Sequence, residues 1–156
     1  MSVYVMSDLH GNYEGFMSVL KQIRFSDVDE LYINGDVVDR GRDGIKILQY
    51  MMMQPNIYPI IGNHECALLQ VLHVVMQEIS DEVISKIDED DLRNIMEYQN
   101  IGGQVTLDEF HKLTREEQQD IIEYLGEITA YEEITVNGKD FILVHAGLAN
   151  FQPAYA

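Results

Sequence analysis

An α/β fold, with a parallel sheet covered by helices, is predicted by two observations on the sequence. Short apolar runs at 3–6, 31–34 and 57–61 alternate with segments of helical periodicity, the pattern of βαβ units. Each run is followed at once by a loop that carries glycine together with Asp, His or Asn. In open sheets of this kind the carboxyl ends of the strands gather at one edge, where ligands bind. The elements follow in order. VYVM (3–6) is a first strand, and residues 13–24 place Phe16, Val19, Leu20 and Ile23 at helical spacing. LYIN (31–34) is a second strand, residues 45–53 a second helix stopped near Pro55, IYPII (57–61) a third strand and residues 65–79 a long third helix. Residues 80–125 are acidic and helical and pack beside the sheet. Asp88-Glu89-Asp90-Asp91 opens one helix there; Thr114 and Glu117 form the capping box of another, whose apolar face is Ile121, Ile122 and Leu125. YEEITV and KDFILV flank Asn137-Gly138, a two-residue hairpin signal. No repeat, low-complexity tract or linker divides the chain, so residues 1–156 are read as one domain.

Charge narrows the partners. Twenty-seven acidic residues against ten basic ones give a net charge of −17. Such a surface repels nucleic acid, whose binding rests on basic neutralisation of phosphates, and it repels anionic membranes. A phosphate-bearing substrate would need bound cations or arginine to reverse the local sign. Cys66 is alone, which leaves no disulfide framework. The start of the chain does not read as a secretion signal, and the longest mostly apolar stretch, 67–76, is too short to span a bilayer. A cytoplasmic protein is expected.

The loops after the strands carry the chemistry. They read Ser7-Asp8-Leu9-His10-Gly11-Asn12, Gly35-Asp36-Val37-Val38-Asp39-Arg40-Gly41, Gly62-Asn63-His64-Glu65 and, after the hairpin, His145-Ala146-Gly147. Carboxylate and amide oxygens mixed with imidazole nitrogens suit Mn²⁺, Fe or Zn²⁺ better than Ca²⁺. Asp8 and His10, two apart on an extended segment, would point the same way and grip one ion. Asp36 has two oxygens and would bridge to a second ion, held by Asn63 and His145. Two such ions form the clamp of phosphate ester hydrolysis. Each residue also has a plain explanation: Asp8 as a helix N-terminal acid, Asn12 as an N-cap, Asp36 and Asn63 as turn residues, His145 as a hydrogen-bonded histidine. Four such coincidences at four strand ends are hard to obtain from turn chemistry. His73 and His111 read as ordinary helix residues, Cys66 as a packed small residue, and Met51-Met52-Met53 as core filling.

The ordered motifs D-x-H-G, G-D-x-V-D-R-G, G-N-H-E and H-A-G resemble those of the PPP family of calcineurin-like metallophosphoesterases. The resemblance runs from Val3 to about residue 148. Between residues 80 and 125 it rests on NIGGQVTL (100–107), similar to an Asn-Gly-Gly stretch of bacterial members. It implies a β-sandwich flanked by helices and a two-metal site at the strand ends. Asp8 and His10 match ligands of the first metal, Asp36 the bridging carboxylate, and Asn63 and His145 ligands of the second. His64 matches the general acid, Asp39 the carboxylate that orients it, and Arg40 a phosphate-contacting arginine. Imidazolium suits protonation of a leaving alkoxide near pH 7, and a guanidinium suits two-pronged phosphoryl contact.

Two family features are absent. No histidine follows His145 and no arginine follows Arg115, whereas the family places a last metal-ligand histidine and a second arginine beyond H-A-G. The chain is therefore expected to be shortened at its C-terminus, with an incomplete second sheet. Its uncovered apolar strand faces would favour self-association, by strand exchange between two copies. Three functions follow as expectations. The first is dinuclear-metal hydrolysis of phosphoserine or phosphothreonine in proteins. The second is symmetrical cleavage of diadenosine tetraphosphate, a phosphorylated small molecule. The third is a metal-binding or interaction module of weak catalysis.

Overall fold

The computed structural model describes residues 1–76 and 89–147. Its strands and helices alternate as β1 (Val3–Met6), α1 (Tyr13–Ile23), β2 (Glu30–Asn34), α2 (Gly44–Met52), β3 (Ile57–Ile60) and α3 (Asn63–Val75). Then come α4 (Glu89–Tyr98), a π-helical turn (Gln99–Gly103), α5 (Gln104–Phe110) and α6 (Arg115–Glu127). A hairpin of β4 (Tyr131–Val136) and β5 (Lys139–Val144) closes the described chain.

β1, β2 and β3 form a parallel sheet with β2 in the centre. A central parallel strand is covered on both faces and must be apolar throughout. Leu31, Tyr32 and Ile33 of β2 are all buried. Their neighbours in the core are Ile45, Ile47, Leu48 and Met51 of α2, Leu68, Val71 and Leu72 of α3, Phe110 of α5, and Ile121 and Leu125 of α6. The acidic segment thus joins the core through one face of each helix. Thr114 caps α6 as its sequence requires: its hydroxyl accepts the Glu117 N–H at 3.3 Å, and the Glu117 carboxylate accepts the Thr114 N–H at 2.8 Å. Asn12 caps α1 through its Oδ1, which accepts the Gly15 N–H at 3.0 Å.

The hairpin turns at Asn137 and Gly138, with φ of 52° and 73°, the left-handed pair of a type I′ turn. Ile61 N–H donates to Thr129 O at 2.9 Å, and the Asn34 amide donates to Val144 O at 3.0 Å. The first ties the segment before β4 to the end of β3, and the second brings the end of β5 beside the carboxyl end of β2. Among the described residues the second sheet is this hairpin alone. Tyr131, Phe141 and Ile142 are exposed on it.

Some expectations change. Helix α3 begins at Asn63 rather than Glu65, which puts Asn63 and His64 on its first turn. Its expected end at residues 77–79 and the role of Asp88 lie outside the described residues. Met51 is buried, but Met52 and Met53 are exposed, because three consecutive positions on a helix cannot share one face. Cys66 is exposed rather than packed. It lies on the solvent face of α3 with Asn63, Gln70 and His73.

Candidate metal centre

The loops after β1 and β2 continue the sheet's pairing past the strands. Asp8 N–H donates to Gly35 O at 3.1 Å, His10 N–H to Asp36 O at 2.9 Å and Gly11 N–H to Val37 O at 2.8 Å. Asp8, His10, Asp36, Asp39 and Arg40 all have positive φ, between 42° and 70°. Left-handed backbone at residues other than glycine is sparsely populated and clusters at functional sites. Asp8 and His10 therefore converge by backbone curling, not by the alternation of an extended strand as expected.

Glu65 binds the second loop to the third. It is 1% exposed. Its Oε2 accepts the N–H groups of Asp36 at 2.8 Å and Gly62 at 3.0 Å, and its Oε1 those of Val37 at 2.8 Å and Val38 at 3.2 Å. One buried carboxylate thus satisfies four backbone donors and sets where Asp36 begins.

Asp36, 5% exposed, stands at the middle of the cluster. Its Oδ1 lies 3.3 Å from His145 Nε2, and its Oδ2 lies 3.8 Å from His10 Nε2. Asn63 Oδ1 is 3.1 Å from His145 Nε2, and Asp8 Oδ1 is 4.0 Å from His10 Nε2. The two oxygens of one carboxylate therefore face two separate donor sets, Asp8 with His10 and Asn63 with His145.

The rings are oriented from behind. His10 Nδ1 lies 3.0 Å from Val38 O, and His145 Nδ1 lies 2.8 Å from Asn34 O. A carbonyl only accepts, so each Nδ1 carries a proton and each Nε2 offers a lone pair. The metal-ligating histidine has this arrangement. At His145 the Nε2 lone pair, Asn63 Oδ1 and Asp36 Oδ1 are then three acceptors turned on one another. Asp36 Oδ1 also accepts the His64 backbone N–H at 3.3 Å, and a cation among the three would be held by an imidazole nitrogen, an amide oxygen and a carboxylate oxygen together. The donor set thus fits a divalent metal.

His64 differs from both. It is 2% exposed, and its Nδ1 lies 2.7 Å from Asp39 Oδ2, a carboxylate rather than a carbonyl. Its Nε2 lies 4.0 Å from Asp36 Oδ2. By distance alone, His10, Asp36 and His64 can share one ion, with ligand atoms within 4.8 Å of one another. The carboxylate fixes the ring by its Nδ1 and leaves Nε2 toward the cluster. The Arg40 guanidinium lies 3.0 Å from His10 Nε2 and 3.2 Å from His64 Nε2, so its charge reaches the centre of the cluster.

All eight residues singled out by sequence — Asp8, His10, Asp36, Asp39, Arg40, Asn63, His64 and His145 — meet here. Three others were not foreseen: Glu65, Tyr98 and Thr106. Glu65 had a signal, as the last residue of G-N-H-E. The Tyr98 and Thr106 hydroxyls both donate to Asp39 Oδ1, the latter at 2.7 Å. Thr106 lies within the NIGGQVTL stretch; Tyr98 had no signal.

The family profile described as calcineurin-like phosphoesterase matches residues 1–154. The chain is 36% identical over 119 residues to a symmetrical bis(5'-nucleosyl)-tetraphosphatase of Buchnera aphidicola subsp. Schizaphis graminum, covering 72% of this chain and 42% of that protein. A protein of the same name from Erwinia tasmaniensis is 29% identical over 116 residues, with the same two coverages of 72% and 42%. The chain therefore spans less than half the length of these relatives. The crystal structure of a proposed diadenosine tetraphosphatase superposes with a TM-score of 0.60 at 20% identity, covering 98% of this chain and 57% of that one; at that identity it speaks for the fold.

Proposed function

The chain belongs to the calcineurin-like phosphoesterase family, and from that premise we propose that it carries the dinuclear metal centre of a hydrolase that splits dinucleoside tetraphosphates symmetrically. The supporting observation for the centre is Asp36, whose two oxygens face two donor sets. Asp8 and His10 would hold one divalent ion, Asn63 and His145 the other, and Asp36 would join them. The mixed oxygen and nitrogen donors suit Mn²⁺, with Fe and Zn²⁺ as alternatives. When bound, such a pair supplies charge neutralisation and activation of water.

The residues of the chain do the rest. Arg40 places a planar cation where phosphoryl oxygens would lie. Asp39 holds His64 by Nδ1 and leaves Nε2 facing the cluster. In the reaction, a water oxygen bonds to phosphorus and the bond to the leaving phosphate oxygen breaks. His64 gives its Nε2 proton to that oxygen; the attacking water's proton passes to bulk solvent, from which His64 is reprotonated.

The substrate reading rests on the relatives. Those relatives are symmetrical bis(5'-nucleosyl)-tetraphosphatases, the second of the three expectations, and not protein phosphatases. A tetraphosphate bridge is strongly anionic, and on a chain of net charge −17 the cations and Arg40 supply the local reversal. The test is turnover of diadenosine tetraphosphate against a phosphoserine peptide, each with Mn²⁺. Symmetrical cleavage yields ADP as sole product, and His64→Asn removes it. Peptide dephosphorylation with no dinucleotide turnover would return the reading to a protein phosphatase. No turnover of either, with metal bound, would leave a metal-binding module.

A further inference from the structure

Asp39 is fully buried, and a buried carboxylate needs partners for both oxygens. His64 Nδ1 serves Oδ2 at 2.7 Å. Oδ1 is served by two hydroxyls that converge from beyond the sheet, Tyr98 at the end of α4 and Thr106 on α5. The same Thr106 oxygen accepts the Asp39 backbone N–H at 3.0 Å, and Gly102 O accepts the Arg40 N–H at 3.0 Å. Asp39 and Arg40 are two consecutive left-handed residues, with φ of 70° and 66°, so their turn is strained and needs outside support. Tyr98 and Thr106 are 1% and 0% exposed. Burial and the Asp39 charge push the Tyr98 phenol far above its ordinary value, which keeps it a donor. The π-helical turn between them brings both hydroxyls and the Gly102 carbonyl onto one point, and such turns recur at functional sites.

We propose that Tyr98 and Thr106 are positioning residues for proton transfer at His64. By occupying Asp39 Oδ1 they prevent the carboxylate from turning, leave Oδ2 to His64 Nδ1, and thereby hold Nε2 toward Asp36. The proposal rests on His64 being the proton donor. It adds that the donor is aimed from the helical segment, outside the strand-end loops.

A purely structural role and a positioning role separate by leaving group. Phenyl phosphate needs its phenoxide protonated; p-nitrophenyl phosphate does so far less. Tyr98→Phe, Thr106→Val and Thr106→Ser are made in the full chain and assayed with Mn²⁺ on both esters. Positioned general acids contribute about 10²–10⁴-fold. Thr106→Val and Tyr98→Phe should therefore lower kcat on phenyl phosphate by about tenfold or more, with KM unchanged. They should change p-nitrophenyl phosphate turnover little, and Thr106→Ser should restore both. The second readout needs neither metal nor activity. ¹⁵N NMR of the metal-free chain, at a pH where the His64 ring is neutral, should show the Nδ1–H tautomer in the parent and in Thr106→Ser. It should show mixed tautomers in Thr106→Val. Equal losses on both esters, or an unaltered tautomer in Thr106→Val and Tyr98→Phe, would overturn the proposal. If the parent hydrolyses neither ester, the tautomer measurement decides the proposal by itself, and the hydrolase reading stays with the diadenosine tetraphosphate assay.

Discussion

Glu65 accepts the backbone N–H of Asp36 at 2.8 Å, so the residue at the centre of the cluster is held from behind by a carboxylate that touches no metal-facing atom. Replacing it by Gln keeps the shape but turns an NH₂ group toward backbone donors. At least one buried N–H then loses its acceptor, which costs about 1–3 kcal/mol. Glu65→Gln should unfold at lower temperature, and its Mn²⁺ affinity should fall by about 10–100-fold, as happens when a group behind a metal ligand is lost. Thermal unfolding of the metal-free chain and a metal titration read the two effects separately. Unchanged affinity would show that the loops hold their positions without Glu65.

Asp36→Asn tests the shared carboxylate directly. The amide retains one oxygen and loses the negative charge, and its NH₂ must face one of the two donor sets. That NH₂ then stands toward the Nε2 atom of His10 or of His145. Metal stoichiometry, measured after dialysis against Mn²⁺, should fall from two ions per chain to one or none. Retention of two ions would mean that Asp36 does not join the sites.

The strand–helix alternation and the hairpin were legible because each depends on local periodicity and turn chemistry. The candidate site residues were legible because they lie in loops bounded by glycine. The route by which they converge was not. Asp8 and His10 meet through left-handed backbone, fixed by bonds to Gly35 and Asp36 in another loop, and residues two apart carry no sign of it. The hydroxyls on Asp39 come from 59 and 67 residues away, beyond the reach of any spacing argument. The exposure of Met53 and Cys66 depends on where a helix ends and which face it turns outward, which composition does not state.

Asp29 provides a pH-dependent contribution away from the site. Its carboxylate accepts the Ser2 N–H at 2.7 Å, the Ser26 hydroxyl at 2.8 Å and the Ser26 N–H at 3.2 Å. The bond from the Ser2 backbone, then that from the Ser26 hydroxyl, hold it below the ordinary carboxylate value. A group whose folded pKa is depressed stabilises the fold above its unfolded pKa, about 3.9, and loses that contribution as pH falls through the folded value. Asp29→Asn should therefore be less stable than the parent at neutral pH, and the gap should close below about pH 4. Urea unfolding across pH 2–7 measures it. A gap constant with pH would assign the effect to packing.

Gly35 is the last strand-end residue before Asp36, and its φ of 78° lies in the left-handed region. A Cβ built there would stand 2.5 Å from His145 Nδ1 and 2.8 Å from the Gly62 Cα. Alanine at 35 therefore carries two costs. The left-handed conformation itself costs about 1–2 kcal/mol, and the methyl group displaces the ring that donates to Asn34 O. Displacing that ring moves Nε2 off Asn63 and Asp36 while leaving Asp8 and His10 in place. Gly35→Ala should thus lower stability and selectively weaken the second of two Mn²⁺ binding steps by calorimetric titration. A uniform weakening of both steps would mean that the two donor sets are not separable, and that Asp36 does not divide them.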